Sequence, residues 1–265
     1  MVMTRPAASI SSLPSIVAIA VVAFAACDLV HEVLGHGVAS ALTPGVRALS
    51  LTTVALQTSA VSRFVASAGS VANVIAGLAA AVLFRRRSTW DPWTLFLGLF
   101  ALTNLLNGTG YLIFSGLLNI GDWAVVIAGR EPAWLWRALM SVAGALLYGL
   151  TVTSATSQAV ALVQRGVISA REPARVLLPA YLAGGLLFVL GSALNPIGRS
   201  LILTSGVSSG FGAMAGLAVI PSLVEARTKH DHHAGQTIPL SIGWVVIGLA
   251  VALGFVGILG PGIRF

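Results

Sequence analysis

The chain has 265 residues, of which 57% are hydrophobic and only 9% are charged, with a formal net charge of +7. A soluble domain carries about 25% charged residues, so this chain cannot cover a soluble surface and is expected to lie in a lipid bilayer. The basic residues lie at the ends of apolar segments, which argues against a nucleic-acid partner. The single cysteine, Cys27, excludes an internal disulfide.

Seven apolar segments reach the length of about 20 residues that a membrane-spanning helix needs. They cover approximately residues 15–42, 61–84, 93–116, 134–163, 176–194, 199–224 and 239–260. This pattern predicts an all-α polytopic membrane protein with six or seven transmembrane helices, forming a single integral-membrane domain over residues 1–265. Residues 48–60 are rich in Thr, Val and Leu and partly alternate, which favours a short β-element after the first helix. A re-entrant or surface loop is the alternative there.

The distribution of basic residues bears on orientation, because Lys and Arg concentrate in cytoplasmic loops. With a cytoplasmic N-terminus, nine basic residues fall inside, among them Arg5 and the Arg85-Arg86-Arg87 cluster, and six fall outside, among them Arg199. We therefore expect a cytoplasmic N-terminus, in the plasma (inner) membrane of a prokaryote.

Residues 31–37 read His-Glu-Val-Leu-Gly-His-Gly and lie inside the first apolar segment. Ionisable side chains are costly in a membrane and indicate a functional site. The order of the residues is that of a helical zinc motif, with two histidine ligands and a glutamate base. However, His36 follows His31 by five positions, which is about 140° around an ideal α-helix.

Three arrangements are compatible with this spacing. A π-bulge, favoured by Gly35 and Gly37, would bring the two histidines together. Alternatively the histidines do not share an ion, or Glu32 and His36 form the ligand pair. Buried polar residues that merely pair with neighbouring helices are a further reading.

Asp28 and Cys27, which precede the motif, could also take part in the site. Asp28 lies one turn before His31 and is predicted to orient its imidazole. Cys27, four residues before His31, is an alternative ligand.

Three motifs together resemble the site-2 protease family of intramembrane zinc metallopeptidases. The first is the His31–His36 motif with its inserted residue, and the second is Ala68-Gly69-Ser70-Val71-Ala72-Asn73, with Ser70 in place of the family's proline. The third is Gly121-Asp122-Trp123, which matches the family's distal aspartate in position rather than in sequence. The stretched motif is also locally similar to the zinc helix of the dipeptidyl peptidase III family. The site-2 protease resemblance covers about residues 15–130. It implies a metallopeptidase-like core over residues 1–130 and leaves additional transmembrane helices over residues 131–265.

The resemblance implies a hydrolase that cleaves peptide bonds of membrane-embedded or membrane-proximal substrates. His31, His36 and Asp122 would bind Zn²⁺, and Glu32 would activate water. The β-element would present an extended membrane-protein or peptide substrate. For Asp122 the alternative is a helix cap at the helix beginning near Trp123.

Other polar residues have two readings each. Asn73, Asn104 and Asn107 could hydrogen-bond a substrate backbone or an oxyanion, or could link helices. The histidines of the 230–233 stretch are interpreted as part of a solvated loop.

Two other functions fit the same residues. The chain could be a non-catalytic membrane protein, a transporter or an assembly factor, in which the buried His, Glu and Asp residues relay protons or a metal. It could also be a pseudo-enzyme whose stretched spacing marks loss of zinc.

Overall fold

The structure of the protein is a computed structural model that describes residues 10–196, 198, 200–229, 231 and 234–265. In this part of the chain, seven helices are long and apolar enough to cross a membrane, which confirms the prediction of an all-α polytopic protein. The basic residues Arg5 and Arg199 and the histidines at positions 230, 232 and 233 lie outside the described residues.

The first span, Leu13–Leu42, is built from three consecutive pieces. They are α1 (Leu13–Leu29), a π-helical segment (Val30–Gly37) and α2 (Val38–Leu42). The strands β1 (Ala48–Leu51) and β2 (Leu56–Thr58) follow and form an antiparallel hairpin, which confirms the predicted β-element.

The other helices follow in a simple order. They are α3 (Arg63–Arg85), α4 (Pro92–Leu118), the short α5 (Asp122–Ile127), α6 (Ala133–Gln164), α7 (Glu172–Ala193), a second π-helical segment (Ile202–Gly212) that leads into α8 (Gly216–Arg227), and α9 (Ile242–Gly254), which continues as a π-helical turn (Phe255–Leu259). The strand β3 (Ile263–Arg264) closes the described chain.

Contacts between loops sort the connections onto two sides of the bundle. On one side, called here the sheet side, β3 pairs antiparallel with β1 to give the order β2-β1-β3, and Arg63 donates to the carbonyl of Ala128 next to α5. On the opposite side, Ser12 N donates to Ile238 O and Trp90 N donates to the Gln236 side chain. This division is the one that seven successive crossings of a membrane produce.

The first span forms the centre of the bundle. In the most apolar 18-residue stretch of this span, 67% is buried inside the protein, against 17% in the corresponding stretch of the α9 span. The mean hydropathies of the two stretches, 2.3 and 2.5, are nearly equal. Phe24 is fully buried, and a Cβ on Gly184 of α7 would overlap its ring. Since lipid is as apolar as a protein core, hydropathy alone does not tell a central helix from a peripheral one.

A tight turn after α4 determines where Asp122 lies. Helix α4 ends at Asn119, which adopts the left-handed conformation with φ 55°, a common way to end a helix. Gly121 follows with φ 76°, a conformation that a side chain would disfavour. The chain thereby reverses, and α5 begins at Asp122, beside the second half of the first span.

Candidate metal centre

The π-helical segment decides between the arrangements that the motif left open. Hydrogen bonds in a π-helix span five residues, so residues five apart lie on nearly the same face. The rings of His31 and His36 accordingly meet edge to face, with centroids 4.8 Å apart. Both side chains are about 95% buried. The extra residue in the motif is thus absorbed by the backbone and does not separate the histidines.

Close backbone contact with α3 accompanies the π-helical segment. A Cβ on Gly35 would lie only 2.5 Å from Gly69 Cα and 2.8 Å from the carbonyl oxygen of Ala68. Glycine at position 35 therefore lets the two helices approach as small residues do in membrane bundles.

Asp122 completes a cluster of three potential metal ligands. Its Oδ2 lies 3.0 Å from His31 Nε2 and 3.2 Å from His36 Nε2, and the ligand atoms of the three residues all lie within 4.8 Å of one another. Atoms held tetrahedrally at about 2.0–2.2 Å from one zinc ion would stand roughly 3.3–3.6 Å apart. The group could hold a metal ion after small shifts of its side chains.

The remaining nitrogen of each histidine is held by a partner outside the cluster. His36 Nδ1 lies 2.7 Å from the carbonyl oxygen of Val65, which can only accept a hydrogen bond. His31 Nδ1 lies 2.7 Å from Asn73 Oδ1. The orientation of the Asn73 amide is determined because its Nδ2 donates to the carbonyl oxygen of Cys27, at 3.0 Å.

These partners assign the protons on both rings. Each Nδ1 carries a proton and donates, so Nε2 is the nitrogen of each ring that lies at Asp122. A protonated Nε2 donates to the Asp122 carboxylate, and an Nε2 that has given up this proton offers a lone pair to an ion. Metal-bound histidines are usually oriented in this way, with the second nitrogen donating to a carbonyl or carboxylate.

Gly69 leaves the space in front of these nitrogens open. A Cβ at this position would lie 2.6 Å from His31 Nε2 and 2.7 Å from His36 Nε2. Any other residue would therefore fill the position at which an ion would meet both histidines.

Asp122 is ionised in this setting. Burial on its own would raise the pKa of Asp122, but hydrogen bonds from His31 and His36 outweigh burial and lower the pKa below its usual range. The carboxylate is thus in the form that a metal ligand requires. It does not act as the alternative helix cap, because Gly121 is the capping residue and no side chain caps α5.

Glu32 lies on the same segment but outside the ligand group. Its Oε2 accepts a hydrogen bond of 2.6 Å from the backbone N–H of Leu56, the first residue of β2. Glu32 and His31 line a cavity of about 20 Å³, together with Thr53, Asn107 and Tyr111 among others. A cavity of this size holds about one water molecule.

The prediction that Asp28 orients His31 is corrected by the structure. Both ring nitrogens of His31 have other partners, Asn73 and Asp122. Asp28 instead lines the cavity beside Glu32, and its Oδ2 has no hydrogen-bond partner among the described residues. The reason is that the two ring nitrogens of His31 face Asn73 of α3 and Asp122 of α5. Cys27, the alternative ligand, is buried beside Asn73 and does not belong to the ligand group.

The three asparagines form a chain of hydrogen bonds behind His31. Asn73 Nδ2 donates to Asn104 Oδ1 at 2.8 Å, and Asn104 donates to the Phe100 carbonyl, so Asn104 links helices. Asn107 Nδ2 lies 3.2 Å from Asn73 Oδ1, while its own Oδ1 is buried and unpartnered at the cavity. Asn107 therefore has one atom free to meet a bound molecule.

Several groups at the site carry no signal in the sequence. The Val65 carbonyl and the Leu56 N–H are backbone groups, which any residue supplies. Tyr111, whose ring lies 5.1 Å from that of His31, looks in the sequence like an ordinary residue of an apolar helix. Gly69 did fall within the second motif of the resemblance, but its role is visible only in the structure.

Comparison of the chain with protein-family models, with curated proteins and with solved structures finds no match.

Proposed function

We propose that the protein is an intramembrane zinc metallopeptidase-like hydrolase that cleaves peptide bonds of membrane-embedded or membrane-proximal substrates, as the motifs resembling the site-2 protease family suggest. The observation that supports this most is the π-helical segment, which places His31 and His36 against Asp122 and leaves Glu32 beside them. Two imidazoles and one carboxylate are a ligand set found in catalytic zinc sites, where a fourth position stays open.

Each residue has a task in this proposal. His31, His36 and Asp122 hold the Zn²⁺. When bound, zinc polarises a carbonyl and lowers the pKa of water. Glu32 has one oxygen held by the Leu56 N–H and a second oxygen free to take a proton from water and deliver it to the leaving amine. The unpartnered Oδ1 of Asn107 is placed to accept a hydrogen bond from the substrate backbone.

Strand β2 is a reasonable place for an extended substrate. It lies at an edge of the sheet in the order β2-β1-β3, and edge strands pair with extended peptides through their main chains. The hydrogen bond from the Leu56 N–H to Glu32 joins this edge to the π-helical segment that carries His31 and His36. A helical substrate would have to unravel here before its peptide bond could be attacked.

The basic residues also give an orientation of the protein in the membrane. The Arg85–Arg87 cluster lies on the side opposite the sheet, so a cytoplasmic N-terminus would place the metal centre near the outer face of a prokaryotic plasma membrane.

The test measures zinc and hydrolysis separately in the purified full chain, with a transmembrane peptide as substrate. We expect Glu32→Gln to keep one zinc per chain and to lower the hydrolysis rate by about 10²–10⁴-fold, the usual contribution of a general base. His31→Ala should lose both zinc and activity. The matched control is Glu225→Gln, an exposed residue at the end of α8. Full activity of Glu32→Gln, or full zinc occupancy of His31→Ala, would show the proposal to be wrong.

One observation favours a second function, a proton or metal relay in a transporter. The unpartnered carboxylate oxygen of Asp28 shares the small cavity with Glu32 and with Ser205 and Ser209 of the second π-helical segment. These groups could extend a polar path away from the metal centre. A relay predicts proton or metal flux in vesicles that Glu32→Gln blocks, without any peptide hydrolysis by the unaltered protein.

A further inference from the structure

A large apolar crevice lies between α3, α4 and α6 and reaches Arg85 on the side of the bundle opposite the sheet. Its volume is about 340 Å³, within the range of small-molecule binding sites. Helix α4 forms its floor, and α3 and α6 form its two walls. Val176 of α7 and Ile220 of α8 also line it.

The interior of the crevice suits an alkyl chain. Residues such as Leu78, Leu102 and Leu150 line it. The threonine hydroxyls that reach it are already used, since Thr109 donates to the Leu105 carbonyl and Thr151 donates to the carbonyl one turn before it. An apolar ligand would therefore leave these hydroxyls hydrogen-bonded.

A cationic group stands at the outer end of the crevice. Arg85, the last residue of α3, lines the crevice and is exposed. It makes no hydrogen bond or ion pair with any other residue that the structure describes, unlike Arg87, whose guanidinium donates to Asp91 at 2.8 Å. A guanidinium with free N–H groups binds a phosphate through two parallel hydrogen bonds.

The length of the crevice matches one leaflet of a membrane. From Val74 to Arg85 the wall of α3 rises by eleven residue steps, or about 16 Å at 1.5 Å per residue. Half of the hydrocarbon core of a bilayer measures about 15 Å. A chain entering beside Arg85 would thus end near the middle of the membrane.

We propose that this crevice binds one acyl chain of an anionic phospholipid, with Arg85 holding the lipid phosphate. The lipid fills the gap between α3 and α6 that no described element of the protein fills. This site is independent of the metal centre, and its test does not depend on activity.

The experiment uses the full chain in phosphatidylcholine vesicles that contain a small amount of a photoactivatable lipid, with its reactive group near the end of one acyl chain. Two analogues are compared, one of phosphatidylglycerol and one of phosphatidylcholine. We expect the phosphatidylglycerol analogue to label peptides of α3, α4 and α6 in preference to the other helices.

Two pairs of variants separate a built site from general contact with lipid. Ala81 lines the crevice, whereas Val82 next to it is half exposed and faces away from the crevice. Ala81→Phe should lower labelling about tenfold because it overfills the crevice, while Val82→Phe should leave labelling unchanged. Arg85→Gln should lower the preference for the anionic analogue about fivefold, the effect of one basic residue at an anionic surface. Arg86→Gln, which removes the same charge outside the crevice, should preserve most of that preference.

Equal labelling of Ala81→Phe and Val82→Phe would overturn the proposal, as would equal labelling by the two analogues. Labelling spread over all helices would do the same, and so would an absence of labelling, which is expected if a partner helix fills the crevice. Should Ala81→Phe fail to fold, the comparison of Arg85→Gln with Arg86→Gln still decides the question.

Discussion

Replacing Gly69 with alanine tests the candidate metal centre most directly, because the change adds a single methyl group. The new Cβ would lie 2.6 Å from His31 Nε2 and 2.7 Å from His36 Nε2, distances shorter than atoms in van der Waals contact allow. Either the histidines turn away or α3 moves outward. In both cases the Nε2 atoms of His31 and His36 can no longer bind the same ion.

The expected loss of affinity can be bounded. Disturbing a group that only orients a metal ligand costs about 10–100-fold in metal affinity. Here the methyl group blocks two ligands at once, so we expect at least about a 100-fold loss, which corresponds to about 2.8 kcal/mol. Alanine is itself a better helix former than glycine by about 1 kcal/mol, so α3 should still form. The measurement is zinc binding by the purified protein in competition with a chromophoric chelator.

The matched control is Gly149→Ala in α6, where a Cβ would meet nothing within 4 Å. This variant should bind zinc like the unaltered protein and unfold at the same or a higher temperature. If Gly69→Ala binds zinc with unaltered affinity while His31→Ala does not, the space in front of Gly69 is not the ion position and the reasoning fails.

Three further predictions follow from individual contacts. Asn73→Ala removes the acceptor of the His31 Nδ1 proton and should lower zinc affinity about 10–100-fold in the same competition assay; unaltered affinity would contradict the assigned role. Leu56→Pro removes the N–H that holds Glu32, so peptide hydrolysis should fall while bound zinc stays at one per chain, whereas Leu56→Ala, which keeps the N–H, should retain activity. Asp91 caps α4, and although burial raises its pKa, hydrogen bonds from Thr89, the Thr94 N–H and Arg87 lower it to about 2. Asp91→Ala should therefore cost about 1 kcal/mol of unfolding free energy in detergent at pH 7. Because the native pKa lies below the unfolded value, that difference should shrink as pH falls from about 4 through 2, and a difference independent of pH would refute the role of the ionised carboxylate.

Much of the fold could be predicted because the bilayer imposes a length on every span. The seven apolar segments of the sequence correspond closely to the seven helices, and the predicted β-element within residues 48–60 is present as the strands β1 and β2. Counting the crossings likewise places Asp122, which follows the third apolar segment, on the side of the membrane where the first segment ends. In contrast, the central place of the first span could not be predicted, because lipid and protein interior favour the same side chains.

The candidate site was only partly accessible to such reasoning. The cluster of His31, Glu32 and His36 is visible in the sequence because ionisable groups are rare in a span. The prediction that Asp28 orients His31 was wrong. Helical spacing indicates which residues are near each other, but it does not indicate the direction of the His31 ring. The structure instead has Asn73 as the partner of His31 Nδ1 and the Val65 carbonyl as the partner of His36 Nδ1, and both lie on α3, 29 or more residues further along the chain.

The sequence by itself determined that this is a polytopic membrane protein with a polar cluster of metal-ligand type in its first span. Only the tertiary structure decided that the cluster closes. The residues around Gly35 form a π-helix that packs closely against Gly69, and that contact joins segments distant in sequence. Local pattern limits the choice of backbone to a few forms, and the close approach of two helices selects the form in which His31, His36 and Asp122 meet.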